Sequence, residues 1–283
     1  MSSQPAPGSK GANYHKECSG PALDTVHKHS SEPHDDEYGE GMTIFGANFC
    51  PFVHRAWAAL ELLDAPYRMV EVDPYQKPKE LLDSNPRGLV PALRIGKDKV
   101  LGESQVILEY LVDRYETAVD KPALLPRGDA YRKARCRLAV DQVNRTLIPS
   151  FYRYLQAQET EKQIEGAKEF VAELQKFNES MLPEQKGPFW DGSDSLGMVD
   201  IVAFPWVYRA TIVLKHFRAF DMSAVAQQGG RFDRWMKAVF GHPAVKATTS
   251  NDNTYLDGYA RYAENRPNTS QVANAINSGR GLP

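Results

Sequence analysis

Asn48-Phe49-Cys50-Pro51-Phe52-Val53-His54-Arg55 sets a cysteine directly before a proline. The apolar run "M-T-I-F-G" (42–46) reads as a short buried strand, and Val53, Trp57, Leu60 and Leu63 then recur at helical spacing. Pro51 suits the first position of that helix, so Cys50 falls at its N-terminus, where free N–H groups and the positive dipole end face the sulfur. This placement predicts a thiol pKa depressed from ~8.5 into a range of about 3.5–7.5. The resulting thiolate is the species that attacks a disulfide sulfur. Val53 occupies the place where a C-x-x-C pair would put its second thiol, and the remaining cysteines are Cys18 and Cys136. A lone thiol of this kind needs an external thiol to complete a cycle. The competing reading is a small buried hydrophobe. His54 lies one turn into the helix as a candidate helper of Cys50, but a Cys–His hydrolase would also need an orienting third group and an oxyanion site, and the sequence offers neither.

The elements that hold Cys50 follow from the flanking pattern. "Y-R-M-V-E-V" (67–72) alternates as a strand, and 78–84 is a short helix ended by Asn85-Pro86. Residues 90–95 and 99–101 form a hairpin around Gly96, and 104–115 is an amphipathic helix. The order β-α-β-α-β-β-α describes a small mixed sheet covered by helices. Residues 117–129 are punctuated by proline and glycine and read as a linker. Beyond them the period is helical, over 164–181, 198–215, 232–240 and 253–264. The expected organisation is a disordered tail over 1–40, an α/β domain over 41–116, the linker, an all-helical domain over 130–265 and a C-terminal tail over 266–283.

The net charge of −2 gives no global attraction to nucleic acid or to an anionic membrane. The apolar run 201–207 is far short of the ~20 residues that a membrane span needs. Three cysteines in 283 residues make no disulfide framework and fit a reducing compartment, with the cytoplasm as the expected location. The first 40 residues carry three lysines, seven acidic residues and no arginine, unlike a secretory or mitochondrial leader. His15, His27, His29 and His34 are irregularly spaced, so no metal site is expected. Cys18 is expected to be exposed.

"C-P-F" (50–52) with Arg55, "K-P" (77–78), "N-P-R-G-L-V-P" (85–91) and "E-S" (103–104), in this order and spacing, resemble the omega class of glutathione transferases over about residues 42–265. The resemblance implies a thioredoxin-like domain followed by a helical domain, glutathione as co-substrate, a homodimer, and Cys50 as the catalytic thiol. It implies a cis bond before Pro91, with the Val90 main chain pairing with the cysteinyl backbone of glutathione. Ser104 and Glu103 would meet the γ-glutamyl group, Lys77 the glycyl carboxylate, and Phe52 would flank the ligand. Trp206, with Tyr208 beside it, would wall a second-substrate cleft for small hydrophobic or oxidised thiol compounds. Arg87 departs from the aromatic residue often found at its position and reads as a surface residue. Gly197 replaces the hydroxyl of the family's capping box, leaving Asp200 to reach back alone.

Three functions fit this sequence. The first is glutathione-dependent thiol transfer or reduction through Cys50, such as deglutathionylation or dehydroascorbate-type reduction. The others are conjugation of glutathione to electrophiles and a non-enzymatic glutathione-binding role on the same fold.

Overall fold

Strand β1 (Met42–Gly46) is buried along its whole length and lies in the interior of a four-stranded sheet of order β2-β1-β3-β4. It pairs in parallel with β2 (Tyr67–Glu71) and antiparallel with β3 (Ala92–Ile95), which forms a hairpin with β4 (Lys99–Leu101). The structure, a computed structural model, describes residues 14–35 and 39–282. Parallel pairing of β1 with β2 requires a crossover, and that crossover is the expected helix, here Pro51–Leu62. The sheet domain and the helical domain match the predicted fold class, with element ends shifted by one or two residues.

The 1–40 stretch departs from expectation. Residues 1–13 and 36–38 lie outside the described residues, but 14–35 are ordered around helix α1 (Pro21–Lys28). Ala22, Thr25 and Val26 bury one face of this two-turn helix, a pattern too short to stand out among Ser, Pro and His. His29 stacks on Tyr67 at 4.0 Å, reaches Glu61 at 3.1 Å, and accepts from the Met69 amide through its carbonyl. The edge strand β2 is thereby covered rather than left open. Cys18 is buried, not exposed, and its amide donates to Glu71.

Helix α2 is Pro51–Leu62, α3 is Lys79–Ser84 and α4 is Ser104–Arg114. In the second domain α5 (Ala130–Gln142) runs through a π-helical stretch (Val143–Leu147) into α6 (Ile148–Gln156), and α7 is Thr160–Ser180. Helix α8 (Met198–Arg209) is apolar on every side and almost wholly buried. It continues through a second π-helical stretch (Ala210–Leu214) into α9 (Lys215–Arg218). Helices α10 (Arg231–Gly241), α11 (Pro243–Ala247), α12 (Asp252–Ala263) and α13 (Gln271–Asn277) complete the chain. The last of these lies in the segment expected as a tail. Ser270 caps it by accepting from the Ala273 amide, and buried Gln156 of α6 donates to the Ala273 carbonyl and to Asn277. Among the described residues no helix is long and apolar enough to cross a membrane.

Asp200 closes the N-terminus of α8 from inside the domain. One carboxylate oxygen accepts from the Gly197 amide at 2.9 Å; the other accepts from the Trp190 amide and the Trp235 indole at 2.8 and 2.7 Å. Glycine at the cap thus leaves a one-way box, reinforced by two tryptophans.

Candidate functional site

Cys50 is the N-cap of α2, in extended backbone, with Pro51 following at the first helical position. Its partly exposed side chain opens onto a cavity of about 1100 Å³ between the two domains. The amides of Phe52 and Val53 lie near the sulfur and favour its charged form, as expected of a helix N-terminus, without either closing a hydrogen bond to it.

The expected depression of the thiol pKa is overturned. Burial pushes the Cys50 thiol above its ordinary value, against the downward pull of the two amides and of Arg209 and Arg55. The magnitudes explain the outcome. A helix end is worth about 0.3–1 kcal/mol at exposed sites, less than the 1.36 kcal/mol of one pKa unit, whereas desolvation can move a pKa further, up to about 3–5 units at the limit of full burial, a limit that Cys50, open to the cavity, does not reach. Tyr152, Tyr259 and Tyr262 close over the same cavity from the helical domain, and this desolvation could not be read from the local sequence.

Two buried guanidinium groups face the thiol. Arg55 lies over the rings of Phe52 (4.9 Å) and Trp206 (5.0 Å) and donates to Asn144 at 3.0 Å. Burial lowers its pKa to about 9, while Cys50 and Tyr152 act in the opposite direction. Arg209, at the end of α8, donates to the carbonyls of Pro205 and Phe49 and faces His54 Nδ1 at 3.2 Å. Among the described residues neither arginine forms an ion pair with a carboxylate. Arg209 was missed from sequence because a lone arginine at the end of an apolar helix resembles a solvent-exposed cap. Burial and Arg209 hold the His54 pKa well below its usual range. His54 is therefore neutral, accepts from Arg209 through Nδ1, and supplies no cation to Cys50.

Phe52, Lys77, Val90, Pro91, Glu103 and Ser104 all line the cavity that Cys50 faces. The Val90–Pro91 peptide is cis. Ser104 is buried at the first position of α4. Glu103 takes the cap position at φ 60°, a left-handed conformation that costs a non-glycine residue on the order of 1–3 kcal/mol. Arg87, read from sequence as a surface residue, also lines the cavity and reaches the Glu103 carboxylate at 3.4 Å. Lys77 folds over Gly88, where an added Cβ would meet its chain at 2.8 Å.

Trp206 and Tyr208 do not line the cavity, which corrects the expected second-substrate wall. Trp206 is fully buried behind Phe52, with ring centroids 4.9 Å apart; Tyr208 packs on Phe240 and Tyr255. Because α8 has no polar face, it lies inside the domain and has no side to offer the cleft. On the helical-domain side the cavity is lined by Asn144 and Arg145 of the first π-helical stretch, by Tyr152, Tyr259 and Tyr262, and by the 268–274 segment. The stripe Tyr255-Tyr259-Tyr262, at spacings of four and three, was the available sequence signal.

Residues 49–114 match the family described as "Glutathione S-transferase, N-terminal domain". Glutathione S-transferase omega-1 of Sus scrofa is 28% identical over 74% of this chain and 80% of that protein. Glutathione S-transferase U2 of Arabidopsis thaliana is 33% identical over 58% of this chain and 68% of that protein. The crystal structure of glutathione transferase Omega 3C from Trametes versicolor superposes with a TM-score of 0.75 at 34% identity, over 88% of this chain and 98% of that one. With the thioredoxin-like sheet, the helical domain and the cysteine-led motif in place, the chain belongs to the glutathione transferase family, in its omega class.

Proposed function

We propose that the protein is a glutathione-dependent thiol transferase whose Cys50 works as a single exchanging thiol. Cys50 attacks the glutathionyl sulfur of a mixed disulfide. A new S–S bond forms, the old one breaks, and its electron pair leaves on the substrate as a thiolate. Glutathione thiolate then attacks the Cys50 adduct, oxidised glutathione departs, and the Cys50 thiolate is restored. Oxidised substrates of the dehydroascorbate type draw on the same two thiols. The observation that carries this reading is the sharing of one cavity by Cys50, the cis Val90–Pro91 corner and Ser104. Cys18 and Cys136 are both buried and line no part of it. In this reading the Val90 main chain pairs with the glutathione backbone, Ser104 and Glu103 hold the γ-glutamyl end at the N-terminus of α4, and Lys77 with Arg87 faces the glycyl end.

Such a cycle needs a glutathione-rich reducing compartment, which favours the cytoplasm. The homodimer implied by the resemblance would cover the exposed Val106 and Leu138 of α4 and α5. The deciding experiment is Cys50→Ser, with intact-mass analysis of both proteins after treatment with oxidised glutathione. A single glutathionyl adduct on the parent, none on the variant, and loss of thiol transfer by the variant are expected. A rise in conjugating activity in the variant would fit the same assignment. Full thiol transfer by Cys50→Ser would refute it.

A further inference from the structure

The described mechanism leaves one group beside Cys50 unused. Of the three tyrosines on the helical-domain wall, Tyr259 is the one whose buried hydroxyl oxygen has no hydrogen-bond partner. Buried hydroxyls nearly always find a partner, so one left open on a cavity wall is available to whatever enters the cavity.

Its position is built by close packing. An added Cβ on Gly258 would lie 2.5 Å from Phe49 Cγ, so the glycine brings α12 directly against the residue before Cys50. The Tyr259 ring stands edge-on to Phe49 at 6.1 Å, and the Arg209 guanidinium lies 5.9 Å from its centroid. Arg209 has its own commitments to Phe49, Pro205 and His54. It can polarise the phenol but offers the hydroxyl no acceptor. Burial raises the Tyr259 pKa to about 12 and Cys50 adds to the rise; Arg209 and Tyr152, which direct donors at the Tyr259 oxygen without closing a hydrogen bond and leave its own O–H free, oppose it. The hydroxyl stays protonated through the working pH range and serves as a donor.

Building on the thiol-transfer reading, we propose that Tyr259 donates a hydrogen bond to the sulfur that leaves when Cys50 attacks, suiting the site to aliphatic thiols, which are poor leaving groups. As the S–S bond breaks, its electron pair collects on the departing sulfur. The Tyr259 O–H stabilises that charge without giving up its proton, and the thiolate is protonated by solvent after release. Preorganised donors of this kind act where charge develops. The benefit is largest when the departing thiolate is basic and vanishes when the charge is already delocalised.

The test compares Tyr259→Phe with the parent on two mixed disulfides of glutathione, one with 2-mercaptoethanol and one with 2-nitro-5-thiobenzoate. Phenylalanine keeps the ring and removes only the hydroxyl, at which Tyr152 and Arg209 direct loose donors, and the melting temperature of the variant is measured to show that it folds. Turnover of the aliphatic disulfide is expected to fall about tenfold, as for the loss of one hydrogen bond to a charged group, while turnover of the aromatic one changes less than about twofold. Equal losses on both, no loss on either, or a larger loss on the aromatic disulfide would overturn the proposal. Cys50→Ser, run on the same pair, separates the two ideas. If it remains active, the thiol-transfer reading fails; if it is inactive and Tyr259→Phe is indifferent to the leaving group, only the role of Tyr259 fails.

Discussion

Arg209 of the helical domain donates through Nη2 to the carbonyl oxygen of Phe49, the residue before Cys50, at 3.0 Å. The bond ties the Cys50 loop of one domain to the buried helix α8 of the other. It also fixes a buried positive charge beside a thiol whose pKa burial has raised.

Replacing Arg209 by methionine keeps the length and apolar bulk of the side chain but removes the charge and its donors. The charge pulls the Cys50 pKa down, so its loss moves the rate of alkylation by iodoacetamide to higher pH. In the parent, that rate should already climb through neutrality without levelling off below about pH 8.5, the ordinary thiol value. The Phe49 carbonyl loses its partner in the interior, which should cost about 1–3 kcal/mol in denaturant unfolding. A plateau near pH 6 in the parent, or an unshifted profile in the variant, would contradict this account of the electrostatics.

The mixed sheet, the succession of its elements and the first-domain residues that share the Cys50 cavity were legible because each is encoded locally, by alternation, by a proline at a helix start, or by a short motif. What escaped the sequence depends on distant partners. The cavity onto which Cys50 opens is closed by residues that include Tyr152, Tyr259 and Tyr262, about 100 to 210 positions away along the chain. Trp206 was misplaced because an all-apolar helix gives no sign of which side faces a cleft. Helix α1 escaped because three apolar or small residues over two turns are a weak period amid polar sequence. Its order depends on β2 and Tyr67, which no local reading supplies.

Asp200 offers a test of how the helical domain responds to acid. Burial raises its pKa from the ordinary 3.8 to about 6, despite donors from Trp235, Gly197 and Trp190. The native state therefore binds a proton that the unfolded chain has already lost between pH 4 and 6, so this residue's contribution to stability falls as pH rises through that window. Two units correspond to about 3 kcal/mol. An Asp200→Asn variant does not titrate, so the stability of the variant minus that of the parent should rise by roughly this amount from pH 4 to pH 6. Urea unfolding at several pH values measures it, and a flat difference would show that Asp200 titrates normally. Asp200→Ala should be strongly destabilised at every pH, because three buried donors lose their acceptor at about 1–3 kcal/mol each.

Gly258→Ala tests the packing that places α12 beside the thiol. In an exposed helix the change would stabilise by roughly 1 kcal/mol. Here the new Cβ would approach Phe49 Cγ, Cβ and Cδ1 at 2.5, 2.7 and 2.9 Å. Phe49 has little room to retreat: its ring is buried against Tyr259 and its carbonyl is held by Arg209. Overpacking of this kind costs about 1–3 kcal/mol, which outweighs the propensity gain, so the melting temperature should fall. The relief available is to push α12 or the Phe49–Cys50 loop outward, so thiol-transfer kcat should fall with it. A variant that melts higher than the parent and turns over normally would mean that α12 does not approach the Cys50 loop as closely as described.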